Sequence, residues 1–179
     1  MKQSKFSRLY TAEGKSVAGV PWDVYPRPQM KRASYLSLNG EWELYVNDGP
    51  KEKIIVPYPP ESILSGIGRD MGKYPVLRYR KVFSLPHGFI KDRVILNFGA
   101  VDQIAKIKLN GVLVKEHKGG YDAFSVDITD NLLEKNILEV EVSDELENHV
   151  LPYGKQKYKR GGMWYTPVTG IWQSVWLES

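Results

Sequence analysis

The 179-residue chain contains no cysteine. Its fold is therefore held without a disulfide, and both a thiolate metal site and a thiol nucleophile are excluded. That is compatible with a reducing compartment. Long apolar runs are also missing. Met1 to Ser16 is polar and lightly basic, with no stretch fit for a signal peptide or a membrane span. A cytoplasmic protein with no membrane partner is expected, unless a leader has been removed. Charge of one sign is scarce: 25 Lys and Arg stand against 21 Asp and Glu, a formal net charge of +4, too mild to argue for nucleic acid. His87, His117 and His149 stand singly, with no His-x-x-x-His spacing, so neither a metal site nor a cofactor is expected. Gly-x-Ser-x-Gly, Walker and dinucleotide motifs are absent. No window keeps apolar residues at i, i+3, i+4 and i+7 for three turns, and no internal repeat points to a solenoid.

What is present is turn chemistry and aromatic bulk: 5 Trp, 11 Tyr, 16 Gly and 11 Pro, among short apolar runs. This composition predicts an all-β domain of ordinary size. Residues 1–20 read as an arm, with Thr11 to Ser16 turn-like, and residues 21–179 as a single domain. Pro21 to Gln29 is extended by its prolines, with Trp22 and Tyr25 as anchors on the body. Glu41 to Val46 is the first clear strand, with Trp42, Leu44 and Val46 on one face. After a short strand at Lys53 to Val56, Pro57 to Pro75 forms a long irregular loop of the length that tends to carry function. Val76 to Leu85 and Val94 to Phe98 follow. Ile104 to Leu109 and Val112 to Glu116 flank Asn110-Gly111, a strong hairpin signal because both central residues need φ > 0. Phe124 to Ile128 and Ile137 to Val142 complete the middle, the latter with Leu138, Val140 and Val142 inward. Ser143 to Lys159 reads as a polar loop. Eight or nine strands at this spacing suggest a β-sandwich or barrel.

Three of the five tryptophans fall between Gly161 and Leu177. Gly161-Gly162 admits close backbone approach, Met163-Trp164-Tyr165 is an aromatic block, and Thr166 to Gly170 is a turn. Ile171 to Leu177 alternates as one strand with large residues on both faces. Trp164 and Tyr165 could offer flat apolar surfaces to the C–H faces of a sugar, or pack in the core, as Trp172 and Trp176 are expected to do. Lys155, Lys157, Lys159 and Arg160 interleave with Tyr153 and Tyr158, a pattern found on single-strand nucleic-acid surfaces. Asp144, Glu145 and Glu147 just upstream favour a solvated loop instead, and no nucleic-acid partner is expected.

The run from Gly162-Met163-Trp164-Tyr165-Thr166-Pro167 to Gly170-Ile171-Trp172-Gln173-Ser174-Val175-Trp176-Leu177-Glu178 resembles the end of the N-terminal sugar-binding domain of glycoside hydrolase family 2, which includes β-galactosidases, β-glucuronidases and β-mannosidases. Tyr25-Pro26-Arg27-Pro28-Gln29, Leu38-Asn39-Gly40-Glu41-Trp42, Val56 to Ser62, Phe98 to Asp102, Leu109-Asn110-Gly111, His117 to Phe124 and Asp127-Ile128-Thr129 are similar to that family in the same order. The resemblance implies a jelly-roll β-sandwich of the galactose-binding kind. Some members carry an acidic residue just before the aromatic block that reaches the sugar; the position is Gly162 here. Trp164, Tyr165, Asp102 and Tyr74 are the candidate carbohydrate-binding residues, although turn and packing roles also account for several of these motifs. Retaining hydrolysis needs two carboxyl groups about 5 Å apart, and in the family both come from a downstream (β/α)8 barrel. The chain is therefore expected to be inactive alone. It would serve as an accessory domain, partnered by the remaining domains of a glycosidase, by carbohydrate and by further copies in a homo-oligomer. A free-standing carbohydrate-binding module and an interaction domain without sugar contact are the other two readings.

Overall fold

The computed structural model describes residues 11–16, 19–146 and 150–179. Among the described residues ten strands form two main antiparallel sheets, and two more form a short ladder. The larger has the order β3 (Glu52–Val56), β2 (Gly40–Val46), β4 (Val76–Phe83), β10 (Asn136–Ser143), β7 (Ile104–Leu109), β8 (Val112–Lys118). The smaller runs β1 (Tyr35–Ser37), β12 (Val175–Glu178), β5 (Ile95–Phe98), β9 (Phe124–Asp127). A two-residue ladder, β6 (Val101–Asp102) with β11 (Gly170–Ile171), lies at one end. The strands beyond the eight or nine expected are these short pieces and β1, too brief for alternation to reveal.

Alternation decides what is buried. Trp42 and Leu44 of β2, Leu77 and Tyr79 of β4, Ala105 and Ile107 of β7, and Leu138, Val140 and Val142 of β10 turn inward. They meet Leu96, Phe98, Val175 and Leu177 of the smaller sheet in one core. The opposite face of the larger sheet is a charge checkerboard. Lys53, Glu43, Arg80, Glu139 and Lys108 are successive cross-strand neighbours, and Arg80 donates to Glu43 at 3.0 Å. Opposite charges in register each add a few tenths of a kcal/mol to about 1 kcal/mol, and a one-residue slip would carry these side chains into the core.

The hairpin at Asn110-Gly111 forms with φ of 52° and 84°. Two expectations need correction. The stretch Ile171 to Leu177 is not one strand: pairing stops after Ile171, and Gly99 N donates to Ser174 O where the chain crosses from β11 to β12. Alternation alone does not register such a jog. Within the arm, Ala12–Ser16 is one turn of helix rather than an irregular turn, with Thr11 Oγ1 accepting from Gly14 N, a capping arrangement. Residues 1–10, 17 and 18 of the arm, together with Glu147 and His149, lie outside the described residues.

Of the two arm anchors, Tyr25 holds. Its ring meets Tyr35 edge-on at 5.3 Å and its hydroxyl donates to Glu178 at 3.1 Å. Trp22 does not, being 68% exposed; the backbone anchors the chain there instead. Buried Asn39 donates from Nδ2 to the carbonyls of Pro21 and Trp22 and to Ser174 Oγ, all at 3.1 Å, and accepts from Val175 N at 2.9 Å. Asn39→Ala would leave these groups unpaired, which costs about 1–3 kcal/mol. The expected outcome is a lower unfolding midpoint in denaturant together with faster proteolytic cleavage between residues 19 and 34.

Candidate functional site

Three segments converge at the end of the sandwich beside the β6–β11 ladder: the loop after β3, the turn at Gly119 to Tyr121, and the chain from Leu151 to Thr169. Pro57, Pro59 and Pro60 lack the backbone donor that would continue the ladder past β3. A 3-10 turn at Ile63–Ser65 follows, capped by Ser62. The last segment is tied to the first at three points. Thr169 donates to Glu61 through Oγ1 at 2.8 Å and through its backbone N at 3.2 Å. Arg160 pairs with Asp70, and Lys73 lies over the Tyr158 ring at 5.5 Å. Between the two segments lies a cleft of about 510 Å³ lined by Glu61, Asp70, Arg160, Thr166 and Val168, among others.

Behind the cleft sits a group of buried carboxyls. Asp102 is 3% exposed, and its carboxyl fills the space where a side chain at Gly120 would start: a Cβ there would meet Asp102 Cγ at 2.6 Å. Burial, then the charges of Asp144 and Glu61, push Asp102 up to about 7. Burial likewise pushes Glu61 up to about 7, against the hydrogen bonds from Thr169 and with a further rise from Asp70. Asp144 is pushed up to about 6 by burial and by Glu145. Asp102 Oδ1, both carboxyl oxygens of Asp144 and both amide atoms of Gln103 have no hydrogen-bond partner among the described residues. Such groups carry a desolvation cost that pairing has not offset.

The aromatic candidates face outward. Tyr165 is 70% and Tyr74 64% exposed. Trp164 is half-buried, and Lys157 Nζ covers its ring at 4.3 Å from the centroid. The three do not stack on one another. The structure therefore separates the sequence candidates into an exposed rim, holding Tyr74, Trp164 and Tyr165, and a buried floor holding Asp102. Trp176 is core, as expected. Trp172 is half-buried, donates through Nε1 to Gly120 O at 2.8 Å and meets Tyr121 edge-on at 5.9 Å. Among the described residues no group of three or more acidic or histidine side chains is placed to hold a metal ion.

Sequence reasoning passed over Glu61 and Asp144. Asp144 was legible: the inward positions 138, 140 and 142 continue in step to 144. Glu61 was not, because its burial depends on Thr169, far along the chain.

Residues 73–166 match the family described as "Glycosyl hydrolase 2 galactose-binding domain-like". The chain belongs to this family. Over 103 residues it is 32% identical to a β-galactosidase of Thermoanaerobacter pseudethanolicus, a match covering 56% of this chain and 13% of that protein. Over 75 residues it is 36% identical to a β-glucuronidase of Streptococcus agalactiae serotype V, covering 42% of this chain and 12% of that protein. The solved β-D-glucuronidase of Dictyoglomus thermophilum superposes on 86% of this chain with a TM-score of 0.64 at 26% identity, and the match covers 29% of that protein. The family 2 domain thus spans only a small part of each relative's length. Its two-sheet body is the β-sandwich that the sequence resemblance implied.

Proposed function

We propose that this family 2 domain is the N-terminal accessory domain of a larger retaining glycosidase acting on terminal β-glycosides, such as a β-galactoside or β-glucuronide. In this reading it packs against a catalytic barrel and shapes one rim of the active site. The observation that carries the proposal is a pair of loops tied to each other at one end of the sandwich. Exposed Tyr74, Met163 and Tyr165 gather on two loops, 57–75 and 151–169, that ion-pair and hydrogen-bond to each other across the cleft. Aromatic groups presented on two linked loops suit the rim of an active site that a neighbouring domain completes.

The carboxyls of this domain are poor candidates for the chemistry. A retaining pair needs an exposed nucleophile and an acid about 5 Å apart, both facing the sugar. Asp102 and Asp144 are instead buried, at 3% and 2% exposure, and Glu61 is engaged by Thr169. The bond-breaking carboxylates would come from the catalytic barrel. The purified 179-residue chain is accordingly expected to give no turnover of aryl β-galactoside, β-glucuronide or β-mannoside, while the coding region beyond Ser179 is expected to encode a barrel with two facing glutamates. Turnover by the chain alone, or a coding region that stops at Ser179, would overturn the reading. In the latter case a free-standing carbohydrate-binding module, supported by the exposed Tyr165 ring, takes its place.

A further inference from the structure

The basic loop was discounted in the sequence because Asp144, Glu145 and Glu147 stand just before it. The structure removes part of that objection. Asp144 is turned into the interior at 2% exposure and cannot neutralise a surface. From Leu151 to Thr166 the chain has four basic residues and no acid. Arg160 is paired with Asp70. Among the described residues, Lys155, Lys157 and Lys159 have no ion-pair partner.

Backbone pairing fixes how these lysines are presented. Tyr165 N donates to Lys155 O at 2.8 Å and Lys157 N to Tyr165 O at 3.4 Å, so residues 155–157 lie alongside residues 164–165. Gln156 is turned inward: its Oε1 accepts from Val168 N at 2.6 Å, and its Nε2 donates to Tyr121 Oη at 3.1 Å and Tyr153 O at 2.9 Å. Lys155 is exposed, half-buried Lys157 lies over Trp164 at 4.3 Å, and Tyr165 is exposed beside them. The result is a strip of two ammonium groups beside two aromatic side chains, adjoining Thr166 of the cleft lining.

We propose that this strip, centred on Lys155, Lys157, Trp164 and Tyr165, is a binding site for an acidic carbohydrate, a sugar chain bearing carboxylate or sulfate groups. A sugar ring offers an apolar face to Tyr165 and the edge of Trp164, and its anionic substituents take the ammonium donors of the two lysines. The choice of a sugar over other polyanions rests on the function proposed above.

The test uses the 179-residue chain and isothermal titration with four probes of similar length: an oligogalacturonate, a sulfated oligosaccharide, neutral cellohexaose and an oligothymidylate. At least one acidic sugar is expected to bind about tenfold more tightly than cellohexaose, and to weaken as salt is raised. Which of the first two binds better assigns carboxylate or sulfate. Lys155→Glu with Lys157→Glu is expected to lower that affinity about tenfold or more. Lys106→Glu with Lys108→Glu, on the outer face of the larger sheet, is expected to leave it unchanged, which controls for net charge. Equal binding of cellohexaose, an undiminished affinity in the loop variant, or an equal loss in the sheet variant overturns the proposal. Tighter binding of the oligothymidylate overturns it in favour of nucleic acid. Turnover of an aryl glycoside by the chain would defeat the accessory-domain reading without touching this result.

Discussion

The 179-residue chain is expected to be markedly more stable at pH 5 than at pH 8. Glu61 and Asp102, each pushed up to about 7, and Asp144, up to about 6, hold protons in the fold that they release in the unfolded chain, where carboxyls ionise near pH 4. A raised carboxyl pKa means that the native state binds more protons than the unfolded one. Stability therefore falls as pH rises from about 4 to about 7, and the penalty is complete above that. One such shift of two to three units corresponds to roughly 3–4 kcal/mol. The three repel one another, so their effects overlap instead of adding. The charges of Asp144 and Glu61 raise Asp102 further, and that of Asp70 raises Glu61. Asp127, lowered to about 2 by Thr129 and then Arg93, contributes with the opposite sign but below pH 4. His117, lowered chiefly by burial, opposes the trend only near its ordinary value of about 6.5.

Calorimetry across this range is expected to show the melting temperature falling by about 10 °C from pH 5 to pH 8, at roughly 2–4 °C per kcal/mol for a chain of this size. Asp102→Asn removes one ionisation and keeps the shape over Gly120. It is expected to raise the melting temperature at pH 8, leave it nearly unchanged at pH 5, and flatten the slope. A melting temperature that is level or rising between pH 5 and 8 in the unmodified chain would refute the buried-acid account.

How much of this was open to a reader of the sequence depends on the range over which each feature is determined. The faces of β2 and β10 follow from alternation within seven or eight residues, and the Asn110-Gly111 hairpin from two residues whose backbone preference is local. The turn of helix at Ala12–Ser16 escaped because one turn has no periodicity to detect. The jog between β11 and β12 escaped because Trp172 and Ser174 keep the alternation going while the pairing partner changes from β6 to β5. At the site, the exposed rim was legible as two glycines followed by Trp164 and Tyr165. The buried floor was not: Asp102 reads as a turn residue in Gly99-Ala100-Val101-Asp102, and its burial arises from Gly120, Asp144 and Glu61, brought in from three other parts of the chain. Lys157 likewise reads as one charge in a polar loop until the pairing of Lys155 and Tyr165 sets it over Trp164.

Gly170→Ala is expected to be among the most destabilising single-methyl additions to this chain, because backbone and packing penalties coincide there. Gly170 has φ of 78°, a region in which an alanine costs roughly 1–2 kcal/mol. A Cβ at this position would overlap the Tyr79 hydroxyl and stand 2.9 Å from Leu77 Cδ1 and 3.0 Å from Tyr79 Cζ. Tyr79 and Leu77 are buried at 0% and 1% exposure, so neither can swing into solvent, and overpacking of this kind costs typically 1–3 kcal/mol. The combined loss is on the order of 2–5 kcal/mol, a fall in melting temperature of about 10 °C. Gly88 supplies the comparison: φ is 72° but nothing lies within 4 Å of a Cβ there, so Gly88→Ala should show the backbone cost alone, about 1 kcal/mol. Tyr79→Phe removes the overlapping hydroxyl, and in the Gly170→Ala background it should recover part of the loss, a coupling visible in a double-mutant cycle. The ring carbon still crowds the methyl, so recovery is incomplete. A Gly170→Ala chain no less stable than Gly88→Ala, or a cycle with no coupling to Tyr79, would show that the β6–β11 ladder can shift away from the larger sheet. Because Gly170 is the residue opposite Asp102 in that ladder, such a shift would move the floor of the site along with it, and the pH slope of the Gly170→Ala chain would change in the same experiment.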